Sequence, residues 1–261
     1  MNRRLRINYY VEPDGPALAR RAAQYFAEMI EEAVDDHGRA RIAISGGSTP
    51  QAAFALLADP NQPWRSRMPW ENLEIFWVDE RTVAPDHAES NYRMTREALL
   101  DHVPLAPEQI HRIEGELEPE VAAARYESEL RNSFRLEGAE LPRFDLVALG
   151  MGDDGHTASL FPHTGAIQEL GRLVVANHVP QKDTWRITLT WPVIDHARSD
   201  EPFAPPWLHS QVSRSFRART AQSTLPRPAT DLTGWSGDSS YRNPNNCAGY
   251  VFSESIKAPN C

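Results

Sequence analysis

The sequence predicts an α/β fold: a mostly parallel, doubly wound, Rossmann-like sheet with helices on both faces. Short apolar runs alternate along the chain with stretches whose apolar residues recur at helical spacing, the pattern of strand-helix units. The polar clusters at 45–49, 79–81 and 150–156 each follow a predicted strand, where an open α/β sheet carries its site. A hydrophobic content of 41% over 261 residues is enough for one sizeable core.

Residues 6–11 read as the opening strand. From 16 to about 36, Leu18, Ala22, Phe26, Met29, Ile30 and Ala33 mark one face of a helix, which His37 and Gly38 end. Residues 40–44 are a brief apolar run leading into Ser45-Gly46-Gly47-Ser48-Thr49-Pro50, with Pro50 suited to the first turn of a helix reaching Leu57. Residues 73–78 are continuously apolar, as expected of a strand covered on both faces. Helices are expected over 91–102 and 118–136, a strand over 144–149 that Gly150 stops, further strands over 172–179 and 185–190, and a helix from 192 to 198.

The net charge of −9 disfavours nucleic acid and anionic membrane surfaces as partners. A small anion needs local cations, and arginine supplies nearly all of them, because Lys182 and Lys257 are the only lysines. The only cysteines, Cys247 and Cys261, form no metal-ligand spacing and no disulfide framework, so we expect no metal site and a reducing, cytoplasmic setting. Arg3, Arg4 and Arg6 are followed by Asn8, Glu12 and Asp14 where a signal peptide would be apolar, and no export signal is expected. No run approaches the roughly 20 apolar residues that span a bilayer.

Ser45, Gly46, Gly47, Ser48 and Thr49 stand between a strand and a helix start, where free amides and the helix dipole favour an anion. The alternative is a flexible turn with Ser48 or Thr49 as the helix cap. Gly150-Met151-Gly152-Asp153-Asp154-Gly155 matches G-x-G-x-x-G, but two aspartates would repel a pyrophosphate and Pro162 interrupts the helix that should follow. A dinucleotide site is therefore rejected in favour of a glycine turn presenting His156 beside Asp154, an imidazole suited to general-base work with a carboxylate to orient it. A capping or surface histidine is the plain alternative, and His163 reads as structural. Asp79, Glu80 and Arg81 are either a solvated turn or the place where Arg81 holds a phosphate or a developing oxyanion. Neither Ser45 nor Ser48 lies in a G-x-S-x-G elbow, which leaves a serine nucleophile little support.

In order and spacing, Ser45 to Pro50, then Trp77-Val78-Asp79-Glu80-Arg81 with Asp86-His87-Ala88-Glu89-Ser90-Asn91-Tyr92, then GMGDDGHTASLFP over 150–162, resemble the 6-phosphogluconolactonase family, within the glucosamine/galactosamine-6-phosphate isomerase superfamily. The similarity runs to about residue 198. The resemblance implies hydrolysis of 6-phospho-D-glucono-1,5-lactone to 6-phosphogluconate in the oxidative pentose phosphate pathway, without metal or cofactor. It implies His156 as the base that activates water, Asp154 as its orienting partner, the 45–49 loop as the phosphate site, and Arg81 and Arg186 as cations for phosphate or oxyanion. The implied partner is a phosphorylated sugar lactone, met by a monomer or weak homo-oligomer. An amino-sugar-6-phosphate deaminase is the alternative the shared fold leaves open, although residues 79–92 look like the lactonase version.

Residues 1–198 are thus expected to form the sugar-phosphate lactonase domain. Residues 199–261, crowded with proline, serine and asparagine, show no strand pattern longer than a few residues. Family members continue here with a strand, a Gly-rich turn carrying a lysine, a helix and a closing strand. The expectation is that an unrelated tail, frameshifted or disordered, replaces those units, and an inactive or weakened sugar-phosphate binder is the corresponding second reading.

Overall fold

The computed structural model describes residues 6–152, 154–204 and 250–256, with side chains over 12–198 apart from 153. Its order is β1 (Arg6–Glu12), α1 (Gly15–His37), β2 (Ala40–Ile44), α2 (Ser48–Ala58), β3 (Leu73–Trp77), β4 (Asp79–Arg81), α3 (Asn91–Ala98), β5 (Ile110–His111), α4 (Pro119–Phe134), β6 (Leu146–Gly150), β7 (Val174–Val179), β8 (Thr184–Leu189), α5 (Trp191–Asp195), β9 (Ser199–Ala204) and β10 (Tyr250–Ile256).

A seven-stranded sheet runs β1-β10-β9-β6-β2-β3-β5. Its centre, β9 through β5, is parallel, and β10 pairs antiparallel with both β1 and β9. This is the expected mostly parallel α/β architecture. The central strands are apolar without alternation because both faces are covered: Ile42, Ala43, Ile44, Ile75, Phe76, Trp77, Val147 and Ala148 are all buried. On one side, Phe26 of α1 meets Phe54 of α2 edge-on at 5.6 Å. Phe76 packs on Phe134 of α4 and on Phe144 just before β6.

Helix α1 begins where the sequence reading puts it, with the Asp14 carboxylate accepting the Ala17 N–H at 2.8 Å, and ends on Gly38 at φ 81°.

Two features differ from the sequence reading. Strands β7 and β8 do not join the large sheet. They form an antiparallel hairpin, with the short turn at Pro180–Lys182 between them, and β4 adds to it in the order β4-β8-β7. A connection this short permits only antiparallel pairing. Secondly, residues 199–204 and 250–256 are strands, where a tail without strands is expected. Asp200, Glu201 and Pro202 depress local strand propensity, but β9 lies parallel to β6 over the whole strand from Leu146↔Ser199 to Gly150↔Phe203, so tertiary pairing overrides propensity. The rest of the tail lies outside the described residues.

Val78 joins the two sheets. Its N–H donates to the Ile44 carbonyl of the large sheet at 2.9 Å, and its carbonyl accepts the Leu189 N–H of the small one at 2.8 Å. Just before it, beyond the two-residue reach of β5, the buried Tyr126 hydroxyl of α4 takes the place of a neighbouring strand. It accepts the Trp77 N–H and donates to the Trp77 carbonyl, both at 2.9 Å. Burial pushes the ionisation of this hydroxyl up, which keeps its proton available for the carbonyl.

Candidate active site

Helix α2 starts at Ser48 and Gly47 holds the cap position at φ 120° with no side-chain hydrogen bond. Neither Ser48 nor Thr49 is the cap that the plain-turn alternative requires, and among the described residues no side chain bonds the first amides of α2. Ser45 is 4% exposed, and among the described residues its hydroxyl has no hydrogen-bond partner. Gly46 and Gly47 bring the backbone itself to the loop surface, since neither has a side chain to stand in the way.

The 150–162 loop adjoins this one. A Cβ on Gly150 would lie 3.8 Å from both Ser45 Oγ and the Gly46 carbonyl, and the Thr157 hydroxyl donates to the Gly150 carbonyl at 2.8 Å. The turn closes through Gly155 N–H to Gly152 O and Gly152 N–H to His156 O, with Gly155 at φ 82°. His156 Nδ1 lies 2.5 Å from Asp154 Oδ1, which also accepts the His156 backbone N–H at 3.2 Å. Burial pushes the Asp154 carboxyl up, but the bonds from the His156 ring and backbone outweigh it and hold the group below the ordinary carboxylate range. The imidazole stacks on buried Phe161, centroids 4.0 Å apart at 18°, and a Cβ on Gly152 would collide with the ring. The ring is therefore fixed in direction, and among the described residues no hydrogen bond reaches Nε2. His163 is exposed at φ 66° and bonds none of these groups.

Arg81 and Arg186 face each other in the β4–β8 register, and Arg186 faces Asn177 across β8–β7. One side-chain step along the same face, Asp79 pairs with Thr188. That face packs on the 150–162 loop: the Thr188 hydroxyl accepts the Ser159 N–H, Asn177 Nδ2 donates to the Ser159 carbonyl, and Ser159 Oγ donates to Asp79 Oδ2 at 2.7 Å. The two arginines thus share the side that carries the His156 loop. Arg186 donates to Thr184 Oγ1 and to the Trp185 carbonyl, and Arg81 to the Glu89 carbonyl. No carboxylate among the described residues forms an ion pair with either. Burial first, and then the charge of Arg81, lower the pKa of Arg186 despite Asp79, Glu89 and Glu80 nearby. Two guanidiniums held side by side against their own repulsion form a local cation pair on an acidic protein.

The 79–81 segment is not a solvated turn. Asp79 is 6% and Glu80 2% exposed. Glu80 accepts the backbone N–H groups of Arg81, Asn91 and Tyr92 and the Ser90 hydroxyl, which anchors the start of α3. Burial raises the Glu80 pKa in spite of those donors. The sequence reading gives no role to Asn91, Ser159, Asn177 or Phe161. Their significance lies in contacts between distant segments, for which no spacing rule exists, although Ser90-Asn91 at a helix start is a legible cap signal.

Among the described residues no cluster of three or more His, Cys, Asp or Glu could hold a metal ion, and no helix is long and apolar enough to cross a membrane.

Residues 13–200 match the family described as glucosamine-6-phosphate isomerases/6-phosphogluconolactonase. A 6-phosphogluconolactonase of Nostoc sp. is 43% identical over 191 residues, covering 72% of this chain and 76% of its own. One from Synechocystis sp. is 42% identical, covering 70% and 73%. The crystal structure of a 6-phosphogluconolactonase from Shewanella baltica is 30% identical and superposes with a TM-score of 0.64 over 78% of this chain and 83% of that one. With residues 13–200 matching its model, a span that includes His156, the 45–49 loop, Arg81 and Arg186, the chain belongs to the glucosamine-6-phosphate isomerase/6-phosphogluconolactonase family.

Proposed function

We propose that this protein hydrolyses 6-phospho-D-glucono-1,5-lactone to 6-phospho-D-gluconate, the lactone step of the oxidative pentose phosphate pathway. The curated relatives supporting this carry that activity in their names. The observation that carries it on the chain itself is the Asp154–His156 pair, with Nε2 unbonded among the described residues, beside the amide loop around Ser45.

Asp154 holds Nδ1, so Nε2 receives the proton of a water molecule as its oxygen attacks the lactone carbonyl. The tetrahedral intermediate collapses by breaking the bond from the carbonyl carbon to the ring oxygen, which takes a proton from the imidazolium and leaves as the sugar hydroxyl. Arg81 and Arg186 supply the positive charge for the phosphate or for the transient oxyanion, and the amides and hydroxyls of Ser45 to Thr49 supply phosphate donors. The scarcity of cysteine supports action in a reducing compartment.

The test is a coupled assay on freshly generated lactone, corrected for spontaneous hydrolysis, with wild type and His156→Ala. Turnover should fall by about 10²–10⁴-fold in the variant. Wild-type rates in His156→Ala would refute the assignment. Binding of 6-phosphogluconate by a wild type that shows no turnover would reduce the protein to a sugar-phosphate binder, and ammonia release from glucosamine 6-phosphate would make it a deaminase.

A further inference from the structure

The three turns of the site meet at one buried residue, Asp79, through its carboxylate and its backbone carbonyl. Asp79 Oδ2 accepts the Ser159 hydroxyl at 2.7 Å, three residues beyond His156. The Asp79 carbonyl accepts Asn91 Nδ2 at 2.9 Å, with Asp79 Oδ1 at 3.4 Å from the same nitrogen. The Asn91 carboxamide in turn lies against the Gly46 backbone so closely that a Cβ there would collide with it. Asn91 and Ser159 are each 2% exposed. Asn91 is itself fixed by Glu80, which accepts its backbone N–H at 2.8 Å.

We infer that Asn91 and Ser159, both hung on Asp79, are positioning residues that set the amide loop and the base loop independently. The inference rests on the lactonase reading for its kinetic form. The Asn91 arm ends on Gly46, and so bears on binding of the phosphate. The Ser159 arm ends on the segment that carries the imidazole, and so bears on proton transfer. Neither side chain touches substrate in this scheme. Each acts through the loop it holds, and a displacement of about an ångström is enough to matter for both functions.

The two arms separate on two substrates. Asn91→Ala should raise KM for the phosphorylated lactone about tenfold or more with kcat within about twofold, and should leave hydrolysis of unphosphorylated glucono-1,5-lactone at the wild-type kcat/KM. Ser159→Ala should lower kcat on both lactones about tenfold with little change in KM. Asn91→Ser and Ser159→Cys, which keep a small polar group in place, serve if either alanine variant does not fold, and are expected to show the same split in weaker form. Equal losses on both substrates in both variants, or wild-type kinetics in both, would overturn the inference. A parallel titration with inorganic phosphate keeps it independent of the lactonase reading. Should the wild type turn over no lactone, that reading fails, and the positioning roles then stand on a tenfold or larger loss of phosphate affinity in Asn91→Ala but not in Ser159→Ala. They fall on the same phosphate affinity in both.

Discussion

Arg81 and Arg186 stand opposite each other on β4 and β8 with no carboxylate paired to either among the described residues, and each is drawn from a different half of the chain. Two like charges held in register raise the energy of the empty protein, and an anion that bridges them lowers it. Added 6-phosphogluconate or inorganic phosphate should therefore raise the melting temperature of the wild type. Arg186→Met should abolish most of that rise, and KM for the lactone should climb with ionic strength. Thermal shifts of equal size in wild type and variant would remove Arg186 from the anion site.

His156 is held between Asp154 at its Nδ1 edge and the backbone of Gly152. Gly152→Ala should displace the ring, lowering kcat with little change in KM. Steady-state kinetics decides it, and a raised KM at unchanged kcat would contradict the picture of a ring locked for proton transfer.

Asp154 is held below the ordinary carboxylate range by its bonds to His156. A depressed carboxyl contributes stability that is present above its unfolded value of about 3.9 and is lost as pH falls through its lower folded value. The urea midpoint of wild type should thus exceed that of Asp154→Asn near neutral pH, and the difference should shrink only once the pH falls below about 3.9. A difference that grows on acidification would reverse the sign.

Glu80 behaves in the opposite sense, because burial raises its pKa. Its contribution is fully present below the unfolded value of about 4.3 and is lost as pH rises through the higher folded value. Melting temperatures of Glu80→Gln and wild type, measured from acid to neutral pH, should diverge in favour of the variant as pH rises. A pH-independent offset would show that Glu80 folds with its ordinary affinity for protons.

Tyr126→Phe removes the hydroxyl that accepts the buried Trp77 N–H and donates to the Trp77 carbonyl. The expected loss is about 1–3 kcal/mol in denaturant unfolding, a large share for one oxygen atom.

Strands β1, β2, β3 and β6 of the large sheet are legible in the sequence. The apolar run of β2, the helical period of α1 and α4 and the Gly38 stop report local physics, and the structure follows them within a residue or two. What escaped is pairing between distant segments. Nothing in residues 174–189 states that β7 and β8 leave the main sheet to meet Asp79–Arg81, and nothing in Ser199–Ala204 outweighs Pro202 until β6 is beside it. The site divides in the same way. Asp154 and His156 are close in sequence and are readable as a pair, whereas Asn91 against Gly46 and Ser159 on Asp79 bridge 45 and 80 positions. The charge of Asp79 and Glu80 reads equally as solvent-facing or buried, and only packing distinguishes the two.

Val78 is one of the points at which the chain passes between the two sheets, and it is hydrogen-bonded to both. The 45–49 loop belongs to one of these sheets and Arg81 and Arg186 to the other, so the way the sheets are joined bears on the distance between them. Tyr126, which bonds both backbone groups of Trp77 just before that junction, is part of what holds the two sheets in their mutual setting.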